Sequence, residues 1–184
     1  MNKDIFTTKT LVLASLCVAL STVLSFFKLF EMPQGGSVTA ASMLPVLFFS
    51  LIGGPVPGII AGIALGLLEA ALGGYIYNLP QFFLDYPLAF AFLGLGGAIP
   101  HSIKNTTLRF ILGAFLAILG KGFMHVLSGV IFFREFAGEL NPWIYSLGYN
   151  YSFLAVEFVI TIIIGSILIN TPVYASLKKA VAAA

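Results

Sequence analysis

Residues 82 to 90 read Phe82-Phe83-Leu84-Asp85-Tyr86-Pro87-Leu88-Ala89-Phe90, a carboxylate, a phenol and a proline set inside an apolar run. The chain around it is 59% hydrophobic and only 9% charged, where an ordinary soluble domain carries about 25% charge. The run is therefore a membrane span and the chain an integral membrane protein. An ionised side chain at membrane depth costs about 2.5–3.5 kcal/mol on insertion scales unless it meets a polar cavity or a partner. Asp85 reads either as a binding residue or as one half of a structural ion pair, with Lys121 as the candidate partner.

Outward from that stretch, the mean hydropathy of +1.04 applies along nearly the whole chain. A hydrocarbon core about 30 Å thick takes roughly 20 apolar residues per helix. That count predicts six transmembrane helices, Leu11 to Phe30, Val38 to Ile52, Val56 to Leu72, Leu79 to Ile99, Leu108 to Phe133 and Trp143 to Ile169. The boundaries fall on turn chemistry: Pro33-Gln34-Gly35-Gly36, Gly53-Gly54-Pro55, Gly73-Gly74, Pro100 and Asn141-Pro142. The second span is short, which implies tilt or partial re-entry. The expected fold is all-α, one membrane domain over residues 1–184, with no soluble catalytic domain attached. The first segment is too long for a signal-peptide core and lacks a small-residue cleavage site, so it reads as a retained span.

Lys and Arg in short loops set orientation. Lys3, Lys9, Lys104, Arg109, Lys178 and Lys179 fall on one side, Lys28 and Arg134 on the other, which predicts both termini in the cytoplasm. Asp85 then sits early in a helix entered from outside.

Several chemistries drop out. A net charge of +2 and the lack of a basic, aromatic-interleaved stretch leave no nucleic-acid partner. Gly120-Lys121-Gly122 lacks the phosphate-cradling pattern, so this chain does not hydrolyse ATP. His101 and His125 lie in different segments and the single Cys17 sits in an apolar helix, so no metal site is expected. No G-x-S-x-G frame supports a nucleophile, and no catalytic residue or cofactor is assigned.

Polar groups that converge point instead to binding. Lys121 and His125 are four apart, hence on one helical face, with Ser128 and Gly129 near the same stripe. Ser146 and Asn150 repeat that spacing, and Glu157 follows on much the same face. With Tyr75, Asp85, Tyr86 and Tyr145, three segments place charge, donors, acceptors and flat rings at one outer level. Such a set suits a flat, polar, cationic heterocycle through stacking, cation–π attraction and a carboxylate. For Trp143, Tyr77 and Tyr151 the interfacial aromatic belt is reading enough. Two small-residue stripes stand apart. Ala14, Ser15 and Ala19 on the first helix offer a close-packing face for a neighbouring helix or a partner protein, and Gly58, Gly62 and Gly66 on the third read as internal packing. Glu69 beyond them is a second buried or interfacial carboxylate with no role assigned.

Over nearly its whole length the chain resembles the thiamine-specific substrate-binding subunits, or S components, of energy-coupling factor (ECF) vitamin transporters. The resemblance is carried by Met32-Pro33-Gln34-Gly35-Gly36-Ser37, Leu84 to Phe90, Lys121 to Phe133, and Pro142 to Leu147 with Asn150. It implies high-affinity binding of thiamine at the outer face of a bacterial cell membrane, with both termini inside. It further implies ATP-driven uptake by a coupling transmembrane subunit and two ATPase subunits, docked on the Ala14, Ser15 and Ala19 face. The family's ligand carboxylate falls on Asp85, its tyrosines on Tyr75, Tyr86 and Tyr145, its histidine on His125, its lysine on Lys121 and its asparagine on Asn150. Outer-loop tryptophans of some members are Gln34, Phe133 and Gly138 here, and Phe133 still supplies a stacking face. The glycine-rich loop Gln34 to Ser37 is a candidate lid. Two other readings stay open: an S component for another vitamin or a thiamine precursor, and an ion-coupled carrier using Glu69, Asp85, Lys121 and Glu157.

Overall fold

A computed structural model describes residues 7–182. Lys3, one of the charges used for orientation, lies outside the described residues. The chain is predominantly helical, and α1 (Thr8–Ser25), α6 (Thr106–Phe132) and α7 (Pro142–Ile169) are each long and apolar enough to cross a membrane. Each has a polar cap that takes up a free N–H of the first turn: Thr7 Oγ1 accepts from Thr10, Asn105 Oδ1 from Leu108 and Asn141 Oδ1 from Trp143.

The first helix stops at Ser25, short of the expected Phe30. Lys28–Glu31 forms strand β1, paired antiparallel with β2 (Ser37–Thr39) in the register Phe30 to Val38 and Glu31 to Ser37. The turn between them explains the departure. Gly35 adopts φ +91°, Gly35 N–H donates to Met32 O at 3.0 Å and Met32 N–H to Gly36 O at 2.6 Å. This closed reversal sets the flanking residues opposite each other, and strand pairing displaces the helix that an apolar count alone predicts.

The second expected span is also shorter. Helix α2 covers only Leu44–Gly53, about 15 Å at 1.5 Å per residue. That is about half the hydrocarbon thickness. Every residue from Leu44 to Leu51 is buried, so α2 is a core helix, apolar all round. Gly54, at φ +93°, breaks the chain into α3 (Pro55–Ala71). The stripe on α3 works as internal packing. A Cβ at Gly62 would strike the carbonyl of Phe90, and one at Gly66 would come within 2.5 Å of the Tyr86 carbonyl.

The segment brought so close runs over residues 79–97 and is not one regular helix. It comprises α4 (Leu79–Phe83), a π-helical turn (Leu84–Leu88), α5 (Ala89–Ala91) and a 3-10 stretch (Phe92–Gly97). Pro87 lies inside the π turn. It has no N–H to donate and its ring collides with a regular preceding turn, which the wider π geometry accommodates. A final helix absent from the sequence count, α8 (Pro172–Ala182), folds back on the bundle. Its Tyr174 packs edge-on to Phe48, which in turn meets Phe110, with centroids 5.4 and 5.2 Å apart.

The bundle thus has two unlike ends. The C-terminal ends of α1, α3 and α6 and the N-terminal ends of segment 79–97 and α7 meet at one of them, beside the β hairpin. Between them lies the site.

Candidate ligand-binding cavity

A cavity of about 840 Å³ opens at that end, within the roughly 300–1,000 Å³ usual for small-molecule sites. All nine residues singled out for binding line it: Asp85, Tyr86, His125, Tyr145, Asn150, Phe133, Tyr75, Lys121 and Gln34. The turn chemistry explains why. Asn78 caps α4 just above Asp85, Phe133 ends α6, and Asn141-Pro142 starts α7, so these residues fall at one level of the bundle.

Asp85 is the most heavily bonded of them. Its Oδ2 accepts from Gln81 Nε2 and from Ser128 Oγ, both at 2.7 Å, and its Oδ1 lies 3.0 Å from His125 Nδ1. The side chain retains 16% exposure and His125 17%, so both still face the cavity. The alternative reading of Asp85, an ion pair with Lys121, is not realised. His125, one turn farther along α6 toward the cavity end, takes that place. Lys121 Nζ lies 3.6 Å from Met43 Sδ and 4.2 Å from the Phe90 ring centroid. Among the described residues no carboxylate forms an ion pair with it. A buried ammonium held by a π face and a sulfur is an unusual wall element.

Gln81 is absent from the sequence expectations, and Ser128 appears there only as a neighbour of the Lys121–His125 stripe, with no binding role. Gln81 precedes Asp85 by four and Ser128 follows His125 by three, helical-face spacings that place them beside the two residues already chosen. The Gln81 amide does more than orient Asp85. Its Oε1 accepts from Tyr77 N–H at 2.9 Å and its Nε2 also donates to Tyr75 O at 3.1 Å. Tyr86 hydroxyl donates to the same carbonyl at 3.1 Å. The Tyr75–Tyr77 loop is thereby tied to the carboxylate.

The opposite wall is α7. Asn150 Nδ2 donates to Ser146 O at 2.9 Å and to Ser146 Oγ at 3.2 Å, while Ser146 Oγ donates to Val126 O. The amide plane is fixed, and its Oδ1 takes no hydrogen bond from the described residues. Tyr145 stacks on Tyr149, centroids 6.1 Å apart and planes 20° from parallel. Phe133 sits at about 6 Å from both Tyr75 and Tyr77 and 6.3 Å from Phe136, so the rim opposite is also aromatic. Deeper in, Glu157 accepts from Thr39 Oγ1 and from Ser42 Oγ at 3.4 Å, which links it to the end of β2 and the segment that follows as well as giving it a place on the wall.

Charge on the lining is lopsided. Glu31, Glu69, Asp85, Glu135 and Glu157 face only Lys28 and Lys121, five carboxylates against two ammonium groups, for a net −3 with His125 neutral. Low-dielectric walls of one sign focus their field inward and raise the local concentration of the opposite ion. A lining of this sign favours a cationic ligand over an anionic one.

The small-residue face on α1 divides. Ala14 is half-buried and packs against the core, while Ser15 and Ala19 are exposed, flanked by exposed Leu11, Leu16, Leu20 and Val23. The neighbouring-helix reading fails for Ser15 and Ala19, since no described element covers them.

Comparison with known proteins bears on the family and the fold. The family model "Thiamine transporter protein (Thia_YuaJ)" matches residues 11–176. The thiamine transporter ThiT of Bacillus subtilis is 34% identical over 152 residues, 77% of this chain and 79% of its own length. The protein of the same name from Lacticaseibacillus paracasei is 29% identical over 143 residues, 70% of this chain and 71% of its own. A solved structure of ThiT from Listeria monocytogenes superposes with a TM-score of 0.79, covering 94% of this chain and 96% of that one at 22% identity, a likeness of fold.

Proposed function

The chain belongs to the thiamine transporter protein family, and from that premise we propose that it is the substrate-binding membrane subunit of an ECF-type importer. The family is one of transporters, so the cavity binds and releases without chemistry. On this reading the chain crosses a bacterial cell membrane six times as one domain, α2 with the extended residues before it making the second crossing. Both termini lie in the cytoplasm and the cavity opens outward.

The observation that carries the proposal is the net −3 lining of an aromatic-walled cavity. Thiamine pairs a cationic thiazolium with a flat aminopyrimidine, and each half has a counterpart here. Asp85, oriented by Gln81 and Ser128, supplies the anionic anchor. Tyr86, Tyr145 and Phe133 supply flat faces, with Tyr75 and Gln34 at the rim. His125 and the open Oδ1 of Asn150 supply orienting hydrogen bonds, and Lys121 a donor at depth. Binding is of high affinity because these groups are held in place before the ligand arrives.

Inward release requires partners: a coupling transmembrane subunit seated on Ala14, Ser15 and Ala19, and two ATPase subunits. Mass spectrometry of ligand co-purified with the protein tests the ligand. Thiamine is expected in the extract, and a different vitamin or a thiamine precursor would reassign the specificity. Proteoliposomes test the partners. The chain alone should not accumulate thiamine, and accumulation without ATPase subunits would identify an ion-coupled carrier instead.

A further inference from the structure

One α7 side chain joins two parts of the cavity wall. Tyr149 hydroxyl accepts from the backbone N–H of Gln34 at 3.1 Å and of Gly36 at 3.2 Å, across more than a hundred residues of sequence. Both lone pairs of the phenol oxygen are then used, and its own hydrogen remains to donate. The ring of the same residue stacks on Tyr145 and meets Phe153 edge-on at 6.0 Å. Phe153 in turn supports the loop, because a Cβ at Gly36 would come within 2.5 Å of its ring. Gly36 can bring its N–H to the phenol only because that Cβ is missing. The Pro33 to Gly36 turn is already closed on itself by the two bonds involving Met32. Its placement against the cavity, rather than its shape, depends on α7.

We infer that Tyr149 is a positioning residue that clamps the Pro33–Gly36 turn onto the cavity wall and holds Tyr145 at its stacking angle. Loop and stacking wall are therefore set together, and a ligand lying on Tyr145 is retained by a turn anchored to the same ring system. This rests on the thiamine-binding reading for its ligand, but the clamp itself exists without ligand. Gln34 and its neighbours are a docked segment held to α7 by the Tyr149 hydroxyl and the Phe153 ring.

The test uses the full chain and the Tyr149→Phe variant, which keeps the ring and removes the acceptor. Hydrogen exchange in the ligand-free protein should speed up about tenfold or more in the peptide covering residues 32–38 and stay unchanged along α7. Stopped-flow binding should show a thiamine dissociation rate raised about tenfold, equal to about 1.4 kcal/mol, with association little altered. Gly36→Ala, which pushes the turn away through Phe153, should reproduce both effects without touching Tyr149. Unchanged exchange at 32–38 in Tyr149→Phe would overturn the clamp whatever the ligand. Faster exchange with an unchanged dissociation rate would overturn the positioning role. If the wild-type chain binds no thiamine, the functional proposal fails and the exchange result still decides the clamp.

Discussion

Asp85→Asn isolates charge from shape. Asparagine is nearly isosteric, and the surroundings dictate how it sits. Gln81 Nε2 and Ser128 Oγ both donate to Oδ2, so the amide oxygen must take that position. The amide nitrogen then faces His125 Nδ1, which becomes an acceptor by adopting its other tautomer. The network survives and the folded structure with it. What changes is the lining charge, from −3 to −2 by loss of one of its five carboxylates. Removing one member of a partly buried charge pair typically costs about 2–5 kcal/mol of binding, roughly 30-fold to several-thousand-fold in Kd. Calorimetric titration with thiamine measures this directly. A neutral aminopyrimidine fragment serves as the control, because it carries no thiazolium charge and should lose much less. Thiamine binding within about threefold of wild type would refute the assignment of Asp85 as the anionic anchor.

Five further outcomes follow from the same geometry. Gln81→Leu leaves Tyr75 O, Tyr77 N–H and Asp85 short of a partner and should weaken thiamine binding about tenfold, on about 1–3 kcal/mol for unsatisfied buried groups, as read by titration. Phe133→Trp enlarges the ring beside Tyr75 and Tyr77 and should tighten binding of the cation by about 0.5–1 kcal/mol. Gly62→Ala drives a Cβ into the Phe90 carbonyl and should lower the thermal unfolding midpoint, at about 1–3 kcal/mol. Gly148→Ala, which meets open space within a helix, should hold or raise it. Ala19→Trp places a large side chain on the exposed α1 face and should abolish uptake by cells while thiamine binding to the purified chain stays at the wild-type value.

Much of the cavity was legible because helical spacing and turn residues together fix both face and level. Lys121 with His125, and Ser146 with Asn150, follow from the four-residue period, while Asn78, Phe133 and Asn141 set the height at which those faces meet. Gln81 was hidden by chemistry rather than geometry, since a neutral polar side chain carries no charge penalty that demands an explanation, and Ser128 showed only as a neighbour of the Lys121–His125 stripe. His125, not Lys121, meets Asp85, although both share one face of α6. Sequence spacing cannot say which of two successive turns is level with a carboxylate on another segment. The β hairpin escaped because Phe26 to Phe30 extends an apolar count, whereas the turn at Met32 to Gly36 decides the local structure. Segment 79–97 read as a plain span because hydropathy ignores the missing N–H of Pro87. Helix α8, carrying Lys178 and Lys179, is too polar to register in a search for membrane spans.

The small-residue stripes illustrate the same limit. Gly58, Gly62 and Gly66 and the trio Ala14, Ser15 and Ala19 are alike in sequence, yet the first stripe is covered by segment 79–97 and the second largely is not. Only the placement of neighbouring elements separates a covered stripe from an exposed one.

The central claim is that this cavity receives thiamine. Isothermal titration of the purified, folded chain with thiamine tests it most directly. Saturable one-to-one binding, lost or strongly weakened in Asp85→Asn, is expected. A folded wild-type sample that shows no binding of thiamine would contradict it.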